Sequence, residues 1–575
     1  MMKRIINLSV LISVVLAFLF IGPICVNAGY NADKIGDNGI GDDGISGDRA
    51  NSYAWSMDVL PMDFENDEDD GDYLYIGVNR GLVNGVLKNM GLSNDDIETI
   101  FQGDIATPDP SPANRDSRGR IFRYKTDGSK GWELVFTSEI FMTTDQGFQI
   151  PRHFGYRAMK PFTDSADETA LYVASSSFVS FIPTEVIKIP DNFDPSEDTP
   201  EVVLRVANAG GQNSIRAIEV LNGYLCIGFM NGEIYITDFP QAQPAGNGTS
   251  TIGWTKVAEF TDFTTASQAN GGDPIPPPSE ENDTTYPNAQ FVSFNDYLYT
   301  TVARFNTVEV PGGFWIFKGK PVDTNDPKGE WEWSEVMRDG AGDPWNEAAG
   351  IWAFDDYVYV GTMIQFPEHL MREDGISLLY DNIDKLRCEV FRVDATDTWE
   401  MIIGTPEGNS MFDTRLGNYD SGFWDPILPF SPFDDVNASL NLYSWWMGVY
   451  NGKLFCSTFD VRVFLKYVSG LLEFFEYSQD DIEEIEGYID LLDLVNDNPA
   501  GGDLYVTEDG INFSPVTLDG FGDEYNYGLR TLVGTPDVLF AGTANPFYGF
   551  QVWEVTETPD GGDDGSSCFI SAAGN

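Results

Sequence analysis

The stretch Tyr357–Gly361, with the sequence Tyr-Val-Tyr-Val-Gly, decides the fold because similar stretches recur along the chain. Each copy is a short apolar run of β-branched and aromatic residues, which is typical of a buried β-strand. Seven copies are present: Tyr73–Gly77, Leu171–Ala174, Tyr224–Gly228, Tyr297–Thr300, Tyr357–Gly361, Leu454–Ser457 and Val538–Gly542. Such internal repetition is the sequence signature of a repeat architecture.

Each copy belongs to a longer unit. An apolar segment that ends in a turn precedes most copies, as in Arg216–Gly223 and Trp446–Gly452. The Asn-Gly pair in these turns is a strong hairpin signal, because both turn positions need a positive φ. Two further apolar segments follow, such as Ile234-Tyr235 and then Trp254–Val257. The unit is therefore predicted to contain four antiparallel strands, a to d.

Four antiparallel strands repeated seven times predict an all-β fold, a seven-bladed β-propeller with four-stranded blades over residues 54–556. A solenoid and a tandem sandwich are the alternatives, and the regular four-stranded units favour the ring. The seventh unit lacks a clear fourth strand. Residues 29–50 could supply one from the N-terminal side, but their high Gly and Asp content indicates that 29–53 is a linker.

Three segments between strands b and c have a helical composition: Leu82–Gln102, Gln365–Leu386 and Val463–Asn496. In a propeller these loops emerge on the same face as the loops that join one blade to the next, so helical insertions should decorate one face. Repeat proteins usually place such insertions on the binding face. The alternative is that the helices only cover the ring.

The N-terminus and the charge point to an extracellular protein. Residues 1–28 read as a secretory signal peptide, with Lys3 and Arg4 before an apolar stretch and small residues before Gly29. A net charge of −58, from 33 basic and 91 acidic residues, repels nucleic acid and anionic lipid. No later segment reads as a membrane span. We expect a secreted or cell-surface chain whose partner is an extracellular protein or glycan, with no nucleic acid and no membrane span after maturation.

Two predicted turns between strands c and d, Thr126–Trp132 and Thr507–Phe513, resemble the Asp-box of sialidase-like propellers, and Asp394–Trp399 resembles a degenerate copy. In that family the box is structural, so the resemblance implies that these turns brace the blades and hold no active site. The whole repeat also resembles those of uncharacterised extracellular propellers of bacteria and archaea.

The C-terminal tail, residues 557–575, contains Cys568-Phe569-Ile570 in a Gly-, Asp- and Ser-rich setting. This segment resembles the Cys-Phe-Ile box at the end of some exported proteins. The resemblance implies sorting or surface attachment through Cys568. The alternative is a flexible tail that carries a stray thiol.

Candidate ligand-binding residues lie at the start of strand a. Arg157, Arg216 and Arg530 occupy matching positions there in three units, and Trp445 takes that place in the sixth unit. Their side chains should ring the channel mouth, where guanidinium groups match the geometry of a carboxylate. The alternative is that each arginine pairs with an acidic residue of a neighbouring blade. No nucleophile stands out, so no catalytic residue is assigned.

No metal ligand is assigned either. The chain has only His153 and His369 and no Cys-x-x-Cys pair, so an ordinary zinc site is not expected. Calcium suits Asp/Gly-rich turns, and Asp37–Asp48 is the best stretch for it, but no EF-hand spacing occurs. Cys226 and Cys456 are predicted core residues, with a Cys388–Cys456 bridge as an open alternative.

Three functions remain open on the sequence alone. The first is a non-catalytic extracellular propeller that binds a protein, a glycan or a surface polymer through its decorated face. The second is a carbohydrate-active enzyme, sialidase-like or another glycosidase or lyase, with its site at the channel mouth. The third is a structural component of the cell surface.

Overall fold

The computed structural model describes residues 29–64, 69–89, 91–105, 116–145, 147, 149–177, 179, 181–207, 214–278, 285–307, 311–365, 369, 388–404, 441–474 and 500–558. The predicted signal peptide, Cys568 with the tail after residue 558, and most of the predicted helical segments 365–386 and 463–496 lie outside these residues.

The described chain is mostly β-strand, arranged largely as antiparallel sheets of four strands. Strand β1 (Tyr30–Gly36) comes first and pairs with the last strand of the chain. The first sheet consists of β2 (Asn51–Met62), β3 (Gly71–Arg80), β4 (Arg120–Lys125) and β5 (Glu133–Thr137). A hairpin of β6 (Ile140–Thr143) and β7 (Gln149–Pro151) follows. The second sheet consists of β8 (Gly155–Thr163), β9 (Thr169–Ser176), β10 (Thr184–Pro190) and β11 (Glu201–Val206).

The same order of pairing continues along the chain. The third sheet consists of β12 (Ile215–Leu221), β13 (Tyr224–Phe229), β14 (Ile234–Thr237) and β15 (Thr255–Ala258). The fourth sheet consists of β16 (Thr285–Phe294), β17 (Tyr297–Arg304), β18 (Trp315–Pro321) and β19 (Trp331–Met337). The fifth sheet consists of β20 (Ala348–Phe354), β21 (Tyr357–Met363), β22 (Val390–Asp394) and β23 (Trp399–Ile403).

The last two sheets lie on either side of the long insertion after residue 460. The sixth sheet consists of β24 (Asn441–Tyr450), β25 (Lys453–Asp460), β26 (Leu504–Thr507) and β27 (Ser514–Thr517). The last sheet consists of β28 (Gly528–Gly534), β29 (Leu539–Ala544), β30 (Val552–Glu557) and β1.

Helices fall where two of the insertions were predicted, and at one further place. Helices α1 (Leu82–Asn89) and α2 (Asn94–Ile100) follow β3, whereas α4 (Arg462–Leu465) and α5 (Val468–Phe474) follow β25. The sequence analysis missed α3 (Phe260–Ala269), which lies between the third and fourth sheets. Its signal was present in Phe260, Phe263 and Ala266, which are buried at helical spacing.

The predicted linker over residues 29–53 needs correction at both of its ends. Tyr30–Gly36 is the fourth strand of the last sheet and pairs with β30 from Tyr30 opposite Glu557 to Gly36 opposite Val552. Asn51 already belongs to β2. The sequence analysis considered residues 29–50 for the missing fourth strand but favoured a linker, because this stretch is rich in Gly and Asp. Strand β1 is held by main-chain pairing with a distant partner and by buried Tyr30, which is 7% exposed.

The first strands of the sheets bring the sheets together. β2, β8, β12, β16, β20, β24 and β28 contact one another in this order, and β28 also contacts β2. The sheets therefore radiate from a common axis, which is the arrangement of a β-propeller. We call the space that these first strands surround the central channel.

The glycine of the repeated motif marks where neighbouring sheets come closest. A Cβ atom placed on Gly77 would lie 2.7 Å from Tyr156 of the second sheet, and one on Gly361 would lie 2.9 Å from Ser444 Cβ of the sixth. A Cβ atom on Gly542 of the last sheet would lie 2.7 Å from Ala54 of the first. Glycine is required there because the next sheet occupies the space of a side chain.

The three turns with Asp-box character are braced by carboxylates. Asp509 Oδ1 accepts hydrogen bonds from the amides of Ile511 and Asn512, at 2.9 and 2.7 Å. Asp127 and Asp394 likewise accept backbone N–H groups within their own turns. Asp side chains therefore bind backbone amides of their own turn at all three places.

The described cysteines and helices add two findings. Cys226, Cys388 and Cys456 are buried and form no disulfide with one another, so Cys226 and Cys456 are core residues as predicted. Across the described ranges, no helix has both the length and the apolar character needed to cross a membrane.

Candidate functional site

Six first strands show a shift of register, and in five of them, all but β16, the shift passes over a single residue near the start of the strand. In β2, Ala54 pairs with Val78 and Ser56 with Gly77, so the register of the ladder shifts at Trp55. The register shifts in the same way around one residue of each of four other first strands. The five bulged residues are Trp55, Arg157, Arg216, Trp445 and Arg530. A bulge changes the direction of the side chain of the extra residue. The four predicted site residues therefore occupy equivalent positions, at which the side chain points differently from those of a regular strand.

Two of these arginines lie on indole rings. The Arg157 guanidinium carbon lies 4.9 Å from the ring centroid of Trp55. The Arg530 guanidinium carbon lies 5.4 Å from that of Trp445 and 5.1 Å from that of Trp446. The structure therefore brings Arg530 and Trp445, two of the candidate residues, into contact. Trp55 is the equivalent residue of the first sheet that the sequence analysis missed.

Arg530 has an unusual electrostatic setting. Burial, together with the positive charge of Arg216, lowers the pKa of Arg530 to about 10. Within the described ranges, no carboxylate lies within 4.0 Å of its guanidinium. The alternative of an ion pair with a neighbouring blade is therefore not seen for Arg530 among the described residues. Its side chain is a partly exposed cation that lies on two indole rings.

Arg530 and Arg216 belong to first strands on different sides of the central channel. Arg530 belongs to the last sheet and Arg216 to the third, and the first and second sheets lie between them in the contact order. We call Arg157, Arg216 and Arg530 the channel arginines.

Helices from two distant loops support this site from one side. Leu87 of α1 and Ile97 of α2 share a buried apolar cluster with Tyr467 and Leu471, which follow β25. The same cluster includes the aromatic residues around the bulges: Tyr53, Trp55, Tyr443, Trp445 and Tyr527. Trp445 is stacked on Tyr527 with the ring centroids 5.8 Å apart.

The helices are also fixed by a carboxylate. Asp104 accepts hydrogen bonds from the hydroxyls of Tyr467 and Tyr548, at 2.7 and 3.0 Å. The side of the molecule that bears α1, α2, α4 and α5, and on which every first strand begins, is called the helical face. The predicted decoration of one face is therefore found for the first and third insertions.

A second charged layer lies deeper in the channel, and the sequence analysis missed it. Asp58, Lys160 and Glu219 come three residues after Trp55, Arg157 and Arg216, on three successive first strands. Lys160 Nζ lies 3.0 Å from Glu219 Oε1. Burial raises the pKa of Asp58 to about 6, although the charge of Lys160 opposes this shift. The repeated three-residue spacing was a signal from which this layer could have been predicted.

Asp58 should make stability depend on pH. The pKa of Asp58 in the folded protein lies above that of a free carboxyl group. Its favourable contribution to the free energy of unfolding is therefore complete at low pH and is lost as the pH rises through about 6. We expect Asp58→Asn to raise the free energy of unfolding by about 2 kcal/mol at pH 7.5 and by little at pH 4.5, measured by urea unfolding. Glu219→Gln is the matched control, because Glu219 is paired with Lys160 and should give no such gain. An equal effect of Asp58→Asn at both pH values would contradict the assignment.

Both histidines of the chain are engaged by buried glutamates. His153 Nε2 lies 2.8 Å from Glu185, which also accepts hydrogen bonds from Arg152 and Arg205. His369 Nε2 lies 2.7 Å from Glu347. Among the described residues, no group of three or more His, Cys, Asp or Glu side chains is placed to hold a metal ion. A calcium site at Asp37–Asp48 stays a prediction.

No family model and no curated protein matches the chain. Similar solved structures include PorZ, a surface component of the type-IX secretion system of Porphyromonas gingivalis, at 11% identity and a TM-score of 0.37 over 76% of this chain. The match spans 43% of the PorZ chain.

Two further similar structures are shorter and are covered almost completely. The Swd1 β-propeller domain of Myceliophteria thermophila is 10% identical, with a TM-score of 0.33 over 88% of this chain and 97% of its own. YCF48 bound to D1 peptide is 9% identical, with a TM-score of 0.34 over 92% of this chain and 97% of its own. Likeness at these scores carries no argument about function.

Proposed function

We propose that this chain is a secreted or cell-surface, non-catalytic β-propeller that binds an extracellular protein, glycan or surface polymer at its helical face. The proposal includes seven blades in one closed ring. Its support is the order of contact among the first strands, the contact between β28 and β2, and the completion of the last sheet by β1.

The proposed binding residues are Arg157, Arg216, Arg530 and Trp445. The observation that carries this proposal is Arg530, a partly exposed guanidinium in the channel with no carboxylate within 4.0 Å among the described residues. The rest of the chain is strongly acidic, so a cation could easily have been paired by an acidic neighbour. A partly exposed cation with no carboxylate close to it among the described residues is suited to an anionic group of a ligand.

The proposed location rests on the two ends of the chain. Residues 1–28 would direct export, and Cys568 would serve for sorting or surface attachment. The likeness of the braced turns to the Asp-box belongs to this proposal as an argument about blade architecture. It supplies no catalytic residue.

A carbohydrate-active enzyme is the second candidate, and one observation favours it. Asp58 and Glu219 both belong to the channel layer around Lys160, and burial raises the pKa of Asp58 to about 6. Glycosidases use two carboxyl groups whose surroundings keep one protonated and the other ionised. Release of a sugar product by the purified chain, abolished in Asp58→Asn and Glu219→Gln, would establish this candidate instead.

The binding proposal is tested with Arg157→Ala, Arg216→Ala and Arg530→Ala combined in one variant. The mature chain and the variant are exposed to the same arrays of glycans and extracellular proteins. We expect the variant to lose at least tenfold in affinity for the ligand that the parent retains, because the channel would lose its three cations. The matched control combines Arg118→Ala and Arg338→Ala, which remove partly exposed arginines paired with acidic residues outside the site. Unchanged binding by the triple variant would refute the assignment of these residues.

A further inference from the structure

The hairpin of β6 and β7 forms a contact area of its own on the helical face. We propose that the edge of β6 binds an extended, basic and apolar segment of a partner protein, which adds to the hairpin as a third strand. This inference rests on the proposed binding function and deepens it, because that function leaves the kind of partner open.

The hairpin is fixed at the outer part of the second sheet. β7 ends shortly before β8, and every first strand begins on the helical face. Arg152, the residue after β7, donates hydrogen bonds of 2.6 and 2.7 Å to Glu185 of β10, which also binds Arg205 of β11. β10 and β11 are the third and fourth strands of their sheet, so the hairpin lies near the rim of the ring and away from the channel arginines.

The edge of β6 lacks the features that usually prevent an edge strand from pairing with another chain. Among the described residues, β6 pairs with β7 alone. Its sequence, Ile-Phe-Met-Thr over Ile140–Thr143, contains no charged residue and no proline, which are the common protections of natural edges. β7 contains Pro151, which cannot donate a main-chain hydrogen bond. The edge of β6 is therefore the one suited to a partner strand.

Apolar side chains occupy both faces of the hairpin. Ile140 is opposite Pro151 and Met142 is opposite Ile150. These two pairs lie on opposite faces, because successive residues of β7 alternate in direction. Ile140 and Met142 are each 39% exposed. An added strand also presents successive side chains to opposite faces, so the partner segment should contain several consecutive apolar residues.

Phe181 extends this apolar surface to the second sheet. It lies between β9 and β10 and is 55% exposed. Its ring centroid is 6.1 Å from that of Phe141 of β6, which is itself partly exposed. Exposed apolar residues that lie side by side indicate an interaction surface, whereas single scattered ones do not.

Charge favours a different protein over a second copy as the occupant of the edge. Glu139 and Asp145, both exposed, flank β6 at its two ends. A second copy would bring the same carboxylates to the edge and a second net charge of −58, which opposes association. A partner segment with Lys or Arg on each side of an apolar run would place cations next to these carboxylates. The expected partner is therefore basic.

The test uses three fluorescently labelled peptides and the mature chain. The first peptide is Lys-Lys-Val-Ile-Val-Val-Lys-Lys. The second has the same sequence with N-methyl groups on its four apolar residues, and the third has Glu in place of each Lys. We expect the first to bind at least tenfold more tightly than either of the others by fluorescence anisotropy, because N-methylation removes main-chain donors and Glu reverses the charge. Equal binding of the N-methylated peptide would overturn strand addition, and equal binding of the Glu peptide would overturn the basic partner.

Variants then locate the peptide. Ile140→Lys combined with Met142→Lys should weaken binding of the first peptide at least tenfold. The matched control combines Ile45→Lys and Val322→Lys, at residues 93% and 58% exposed, and should bind as the parent does. Hydrogen exchange in the parent keeps the test usable if the hairpin variant folds poorly. The amides of Ile140–Thr143 should exchange more slowly when the first peptide is bound, and unchanged exchange there would refute the proposed position.

The outcomes also separate this inference from the broader proposal. If the first peptide does not bind but the triple arginine variant loses its macromolecular ligand, strand addition is wrong and the binding function stands. If the peptide binds at the hairpin but the triple arginine variant keeps its ligand, the hairpin site is correct and the assignment of the channel arginines is wrong. A dimer of the parent in sedimentation velocity that the hairpin variant no longer forms would identify a second copy as the occupant and overturn the basic partner.

Discussion

Removing residues 29–36 should lower the free energy of unfolding by about 5 kcal/mol, the largest effect we expect from a change outside the channel. Strand β1 pairs with β30 along its length, and each main-chain hydrogen bond contributes about 1 kcal/mol. The strand also joins neighbouring sheets. Tyr30 packs edge-on against Phe455 of β25 at 5.4 Å, and Ile35 accepts a hydrogen bond from Trp132 at 2.7 Å. Urea unfolding followed by circular dichroism measures the loss.

The truncated chain offers a direct rescue experiment. Its β30 would present an unpaired edge, which a strand of the right sequence can occupy. A synthetic peptide of residues 29–36, added in excess, should restore part of the lost stability, whereas a peptide of the same composition in scrambled order should not. A chain that lacks residues 559–575 is the matched control and should unfold as the parent does. An unchanged midpoint after removal of residues 29–36 would disprove the role of β1.

Gly77→Ala should destabilise the protein by about 3 kcal/mol, which is large for the addition of one methyl group. The new Cβ atom would lie 2.7 Å from both the Cβ atom and the carbonyl oxygen of Tyr156, and 2.5 Å from Ser56 Oγ. The carbonyl belongs to the backbone of the next sheet, so relief requires the two sheets to separate. The expected readout is a lower urea midpoint with an unchanged slope.

Gly131→Ala is the control for this prediction. No atom lies within 4 Å of the position that its Cβ atom would take. We expect a change of no more than about 0.5 kcal/mol there. Equal midpoints for the Gly77 and Gly131 variants would mean that the two sheets are not in close contact at Gly77.

The sequence was sufficient where a residue serves its own strand. The Tyr-x-Tyr-x-Gly motif predicted the second strands, because alternating apolar residues and a terminal glycine are local properties. The matching positions of Arg157, Arg216, Arg530 and Trp445 were also visible, since the turn that follows each first strand sets a common register. The structure adds the β-bulge that explains why these positions are special.

The sequence was insufficient where a partner comes from far away. Strand β1 is short of apolar residues and depends on β30, more than 500 residues further on. The absence of a nearby carboxylate around Arg530 depends on how several sheets converge, which composition cannot show in so acidic a chain. The meeting of helices from the first and sixth sheets over Trp445 is likewise a product of tertiary packing.

The position of the two ends of the ring has a consequence for how the molecule would stand on a surface. Strand β30 finishes, and β1 starts, beside the turn between β28 and β29, where Val555 is opposite Leu539. Arg530 lies towards the other end of β28. If the chain is attached through Cys568, as we propose, its tether starts after residue 558, on the side opposite the helical face. The mouth of the channel on the helical face would then lie on the side away from the surface of attachment, where soluble ligands can reach it.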